Sequence, residues 1–219
     1  MTPDRRRSRL GQARLYLCTP LRDDLDAFLD AVLAGGVDLV QLRDKDADRD
    51  AQLAAAPAFR AACDRHDALF VVNDDPELAV AAGADGVHVG QDDADPATAR
   101  AIVGPDLLIG RSTHSIAEVD RAQREDCDYF AVGPVSATPT KEGRPGVGLE
   151  PVRHAAAVAT TPWYVTGGMA PDTAAPVLAA RAHGLVVVRA LTEAPDPRAV
   201  AEAMTALLVT HPSPWSPRG

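Results

Sequence analysis

Short runs rich in apolar and β-branched residues alternate along the chain with longer Ala- and Leu-rich stretches of helical length. The runs cover residues 15–18, 37–42, 69–72, 86–89, 107–110, 129–132, 163–165 and 185–188. Helical stretches lie between them at 24–34, 47–65, 76–82, 96–103, 115–125, 149–157 and 171–180, and a last one follows at 197–208. The runs show little apolar/polar alternation, so both faces of each strand are expected to be buried, as in a parallel sheet covered by helices. Parallel neighbours need a crossover connection, which the helical stretches supply. Gly35-Gly36, Gly83 and Gly184 stand just before strands, where a helix can end in a left-handed turn. The pattern therefore predicts an α/β chain, a (β/α)8 TIM barrel in a single domain over residues 13–209. A doubly wound open sheet is the alternative, and no strand-linked GxGxxG near the start supports it.

Composition narrows this reading. The 219 residues suit one barrel, and 46% hydrophobic with 24% charged residues is the balance of a soluble globular protein. Residues 1–12 are basic but precede no apolar segment of signal-peptide kind, so they read as a flexible N-terminal segment. The Pro- and Ser-rich residues 210–219 read as a flexible tail. A net charge of −9 argues against nucleic acid or an anionic membrane as partner. An anionic small molecule would instead need positive charge gathered locally. Cys18, Cys63 and Cys127 are too widely spaced for a CxxC pair and suit buried thiols in a reducing cytoplasm.

In such a barrel, chemistry sits just after the strands. The polar clusters of this chain fall there: Gln41-Leu42-Arg43-Asp44-Lys45, Asn73-Asp74-Asp75, Gln91-Asp92-Asp93, Arg111-Ser112-Thr113-His114, Thr138-Pro139-Thr140-Lys141, Gly167-Gly168 and Arg189. All converge on one rim.

Asp74 and Asp93 end adjacent strands and offer hard oxygen donors of the kind that suit Mg²⁺. Helix capping is the other reading of such aspartates, and Asp75 and Asp95, each before a proline, fit it better. Arg43, Lys45 and Lys141 can supply the local positive charge, or simply form a solvated face. Gly167-Gly168 lets backbone N–H groups approach a phosphate, with a helix opening at about Pro171 behind it; a plain tight turn is the alternative. His88 reads as a core histidine and His114 as a cap. No Ser-His-Asp or Cys-His spacing points to covalent catalysis.

Taken together, Gln41 through Lys45, Val71-Val72-Asn73-Asp74, the 83–91 segment, Gly110 through His114, and Gly133-Pro134 through Lys141 stand in an order that resembles the thiamine-phosphate synthase family. The resemblance runs from about Leu15 to Pro197. It implies a transferase of thiamine biosynthesis, joining a hydroxymethylpyrimidine diphosphate to a thiazole phosphate with Mg²⁺ and releasing pyrophosphate. Gln41, Leu42, Arg43, Asp44, Lys45, Asn73, Ser112 and Lys141 would hold the pyrimidine diphosphate, with Lys141, Ser112 and Arg43 closest to the reaction. Thr138, Pro139, Thr140, Gly168, Val188 and Arg189 would hold the thiazole phosphate, and Asp74 and Asp93 would bind Mg²⁺. The family chemistry is dissociative and asks for cations and a metal on the leaving group, with no strong base. A homo-oligomer is compatible with this reading.

Three features depart from the family pattern: Arg189 where serine is common, Met169 where isoleucine is common, and a slighter loop at residues 135–137. A related thiazole tautomerase, a non-catalytic ligand-binding barrel and a generic phosphate-binding lyase or isomerase are the competing readings. The first two need neither the paired aspartates nor Lys141.

Overall fold

A computed structural model describes residues 1–137 and 146–213. Eight parallel strands close into a barrel in sequence order, β1 pairing with both β2 and β8. They are β1 (Leu15–Thr19), β2 (Leu39–Leu42), β3 (Leu69–Asn73), β4 (Gly86–Val89), β5 (Leu108–Thr113), β6 (Tyr129–Val132), β7 (Trp163–Val165) and β8 (Gly184–Val187). The helices are α1 (Pro3–Gln12), α2 (Leu25–Ala34), α3 (Arg49–Arg65), α4 (Pro76–Ala81), α5 (Pro96–Val103), α6 (Ile116–Ala122), α7 (Glu150–Val158), α8 (Ala175–Ala179), α9 (Arg189–Thr192) and α10 (Pro197–Thr210). The chain is thus a single-domain (β/α)8 barrel. Among the described residues, no helix is long and apolar enough to cross a membrane.

Strand residues alternate between two cores. Leu17, Val40, Leu42, Phe70, Val87, Ile109 and Phe130 face the helices, in one large apolar cluster. Tyr16, Cys18, Leu39, Leu69, Val71, Leu108, Tyr129, Tyr164 and Val186 fill a separate cluster with Leu10. The inner cluster holds three tyrosines, and small neighbours make room for them. A Cβ on Gly110 would stand 2.2 Å from Tyr129 Cζ, and one on Gly184 would stand 2.6 Å from Tyr164 Cδ1. No side chain fits either position without displacing a ring.

The first residues are not a loose segment. Residues 3–12 form α1, whose N-cap Thr2 accepts from Arg5 N at 3.3 Å. Leu10 is 3% exposed within the inner cluster. The arginines meet aspartates that stand just before strands: Arg5 with Asp67 at 2.7 Å, Arg6 with Asp85 at 3.0 Å and Arg7 with Asp128 at 3.5 Å. The basic run reads as solvated in isolation because these acidic partners are scattered along the sequence.

The beginning of the expected tail is also tied down. Arg14 Nη2 donates to His211 O at 2.7 Å, and Ser213 Oγ lies 2.6 Å from His183 Nδ1. Residues 214–219 lie outside the described residues.

His183, 1% exposed, uses Nε2 on Ala13 O at 3.1 Å, and burial pushes its pKa down to about 4. It is therefore neutral in the fold, whereas the unfolded chain takes up the proton near 6.5. Between these values the unfolded state binds more protons, so stability falls as pH falls, by up to about 3 kcal/mol from this group. Urea denaturation of the wild type and His183→Gln across that range should show the stability gap narrowing as pH drops. A constant gap would mean that the imidazole does not report on folding.

Candidate active site

At the C-terminal end of the barrel, a cavity of about 320 Å³ opens above the inner core. Its lining comes from inward-facing strand positions and the loops just after them: Tyr16, Cys18, Gln41, Arg43, Asn73, His88 and Ser112 on one side. Thr166, Gly167, Gly168, Met169, Val188, Arg189 and Glu193 face them from the late strands. A second cleft of about 290 Å³, bordered by Asp44, Lys45, Arg49, Gln52, Asn73, Asp74 and Asp75, lies over the early strands. Asn73 borders both, so one continuous rim carries the two spaces.

Ser112 is within β5, because that strand runs on through Arg111, Ser112 and Thr113 rather than stopping at Gly110. Alternation then sends Ser112 inward and Arg111 outward. The Arg111 guanidinium, 4% exposed as a residue, donates to Gly90 O at 2.5 Å and lies 3.4 Å from Glu125. Gln91 Nε2 donates to Ser112 O, so the loop after β4 is pinned to β5. That loop carries Asp93, whose Oδ2 accepts from Gly90 N at 2.8 Å.

Asp74 sits just after β3 with φ +61°, a left-handed conformation that suits Asp or Asn among non-glycine residues. Its N–H donates to His88 O at 2.8 Å, and its carboxyl lies beside that of Asp93. Burial first, then Asp93, pushes the Asp74 pKa up to about 6; Lys45 and Asn73 act in the opposite direction. Two carboxylates in contact repel one another when both are ionised, and a hard divalent cation relieves this. Among the described residues, no group of three or more His, Cys, Asp or Glu side chains gathers around a metal position. A pair fits Mg²⁺, which commonly takes one or two carboxylates and completes its shell with water and phosphate oxygens. Asp75 and Asp95 cap helices as expected, accepting from Leu78 N at 2.7 Å and Thr98 N at 2.9 Å.

Gln41, Arg43, Asn73, Ser112, Gly168, Val188 and Arg189 thus line the cavity, and Asp44, Lys45 and Asp74 border the cleft beside it. Two of the expected positions turn their side chains to other partners. The Leu42 side chain is 0% exposed in the outer core and points away from the rim, the consequence of facing opposite to Gln41. The Asp44 carboxylate accepts from Leu21 N, Asp46 N and Ala47 N at 2.9–3.0 Å, so it shapes its own loop. Thr138, Pro139, Thr140 and Lys141 lie outside the described residues.

The helix expected from Pro171 begins only at Ala175 and has five residues, because Thr173 first closes a turn onto Gly168 O at 2.6 Å. A helix this short contributes little dipole. The Gly167 and Gly168 backbone, at φ +112° and +72°, shapes the wall instead. Arg189 is exposed and borders the cavity rather than the outer surface. Tyr16, Cys18, Thr166, Met169 and Glu193 were not anticipated as lining, and His88 was read as core. Counting alternate positions back from Ser112 on β5 and Gln41 on β2, and carrying the register across, would have marked the strand residues among them.

Comparison with known proteins agrees with this arrangement. Residues 15–191 match the sequence model of the TMP-TENI family, described as thiamine monophosphate synthase. The thiamine-phosphate synthase of Thermobifida fusca (strain YX) is 53% identical over 208 residues, covering 93% of this chain and 95% of that protein. That of Streptomyces avermitilis is 51% identical over 205 residues, covering 91% of this chain and 95% of that protein. The solved thiamine phosphate pyrophosphorylase of Pyrococcus furiosus superposes with a TM-score of 0.83 at 29% identity, over 93% of this chain and 98% of that one. A relative at half identity along nearly its whole length carries the activity class with it, and the chain is an enzyme, a transferase. It belongs to the thiamine monophosphate synthase family.

Proposed function

We propose that this transferase condenses 4-amino-2-methyl-5-(diphosphooxymethyl)pyrimidine with 4-methyl-5-(2-phosphooxyethyl)thiazole to give thiamine phosphate and pyrophosphate, or with its carboxylated tautomer to give the same products and CO2. The observation that carries the reading is the divided rim. A cleft bordered by Lys45 and Asp74, with Asp93 beside Asp74, adjoins a cavity walled by Gly168 and Arg189, and Asn73 stands at their junction. A diphosphate at one end and a monophosphate at the other fit this division.

In this reading Gln41, Asn73 and Ser112 orient the pyrimidine, and Arg43 and Lys45 with Lys141 hold its diphosphate. The backbone at Gly168 and Val188 and the Arg189 guanidinium receive the thiazole phosphate, together with Thr138, Pro139 and Thr140. Asp74 and Asp93 would hold Mg²⁺, which when bound would supply positive charge for the departing pyrophosphate. The C–O bond to the diphosphate breaks first, and the thiazole nitrogen then donates its electron pair to the pyrimidine methylene carbon. No proton is removed in either step, consistent with a cavity whose tyrosines are held protonated by burial. The three cysteines, none of them in a disulfide, suit a cytoplasmic setting; burial pushes Cys63 and Cys127 up to about 12, which keeps both thiols unreactive.

The test mixes the purified protein with both substrates and Mg²⁺ and follows pyrophosphate and thiamine phosphate together. Equal release of the two supports the assignment. Absence of product with every divalent metal tried would remove it.

A further inference from the structure

Below the cavity, six polar side chains from five strands form a chain across the barrel interior. Cys18 Sγ donates to Gln41 Oε1 at 3.0 Å, and Gln41 Nε2 donates to Tyr16 Oη at 2.7 Å. The Tyr16 and Tyr129 hydroxyls lie 3.3 Å apart, and Tyr129 Oη lies 3.3 Å from His88 Nδ1. His88 Nε2 is 3.0 Å from Ser112 Oγ. The chain begins and ends at side chains that line the cavity, Cys18 and Ser112, while Tyr129 is 0% exposed beneath them.

The donor inventory allows one continuous order of hydrogen bonds from Gln41 to Ser112. An amide N–H only donates, so Tyr16 Oη accepts from Gln41, and in this order its single hydrogen goes to Tyr129. Tyr129 then accepts from Tyr16 and has one hydrogen left for His88 Nδ1. That nitrogen is an acceptor, so in the neutral ring the hydrogen is on Nε2 and points to Ser112 Oγ. Ser112 accepts inside the protein, which leaves its own hydrogen for the cavity. Among the described residues, Ser112 Oγ has that one partner.

We infer that Tyr16, Tyr129 and His88 are positioning residues that fix Ser112 as a hydrogen-bond donor toward the ligand. The site then favours a ligand with a lone pair at that point, a ring nitrogen or an ester oxygen, over one presenting an N–H. The identity of the ligand rests on the function proposed above; the direction of the chain does not. Burial raises the pKa of both phenols, so neither ionises to reverse the order near neutral pH.

The experiment has two arms. In ¹⁵N-labelled protein, with His88→Gln used to assign the signal, the His88 ring should be the neutral Nε2–H tautomer. Tyr129→Phe should shift that ring toward mixed tautomers and lower kcat about 10–100-fold, the scale of one lost active-site hydrogen bond. The KM for the thiazole phosphate should remain unchanged. His88→Gln places an amide N–H near the Nε2 position and needs no Tyr129, so it should retain kcat within about 5-fold. Adding Tyr129→Phe to that variant should cost little more, a non-additivity that general destabilisation does not produce. An Nδ1–H tautomer in the wild type overturns the inference, as does Tyr129→Phe that alters neither tautomer nor kcat. If the substrate assignment fails, the tautomer arm still decides the matter by itself.

Discussion

Asp74→Asn is expected to lower turnover about 10²–10³-fold at limiting Mg²⁺, and to move the Mg²⁺ titration to higher concentration, without lowering the melting temperature. The substitution removes one charge and changes little else. Asn is the residue that best replaces Asp at the φ of +61° found there, so the turn after β3 persists. Asp93 remains, but a single carboxylate attracts a divalent cation less than a pair does. Stability should move the other way. Burial and Asp93 push the Asp74 pKa up to about 6, so ionising Asp74 at neutral pH costs the fold free energy. Removing one charge relieves it, and the melting temperature should hold or rise. Asp93→Asn is the matched comparison, except that its oxygen also accepts from Gly90 N, so a fall in stability is tolerable there. An unchanged Mg²⁺ titration in Asp74→Asn would refute the ligand role of the pair.

The strands were legible because a parallel barrel buries both faces, which leaves short uninterrupted apolar runs in the sequence. Their ends were less so. β5 continues through Arg111 and Ser112 because polar side chains at a barrel mouth do not terminate the hydrogen-bond ladder. The first eleven positions after Met1 read as solvated because an arginine run gives no sign of which distant aspartates it meets. At the site, the rim clusters were legible by position alone, since residues after barrel strands share one end. Orientation was not. Leu42 and Gln41 are adjacent in sequence and face opposite cores, and only the register across β1 and β2 says which is which. The roles of Tyr16 and Tyr129 were invisible for the same reason. Each reads as an apolar strand residue, and each becomes polar machinery only where five strands bring their hydroxyls into line.

Asp85→Ala should destabilise the fold by about 3–5 kcal/mol, the range for removing one partner from a buried ion pair. Asp85 is 1% exposed and serves three donors: Arg6 Nε at 3.0 Å, Arg60 Nη1 at 2.7 Å and Phe70 N at 3.0 Å. Arg60 has a second partner, Asp64 at 2.8 Å, and is partly exposed, so it can relax toward solvent. Arg6 has less freedom. Its side chain is 10% exposed, and its remaining acceptors are the Asp106 and Met1 carbonyls. Alanine would therefore strand a guanidinium and the Phe70 N–H at the start of β3, and loosen α1 from the barrel floor. For a chain of this length the loss corresponds to a melting temperature lower by roughly 10 °C. Arg6→Met should cost less, because it removes a charge while keeping apolar cover over the floor. Turnover measured well below the transition should be unaffected in both variants, since Asp85 precedes β4 and the cavity lies beyond its other end. A loss below about 1 kcal/mol in Asp85→Ala would mean that Arg6 and Arg60 find other partners. The floor would then be held by Leu10 and its apolar neighbours rather than by charge.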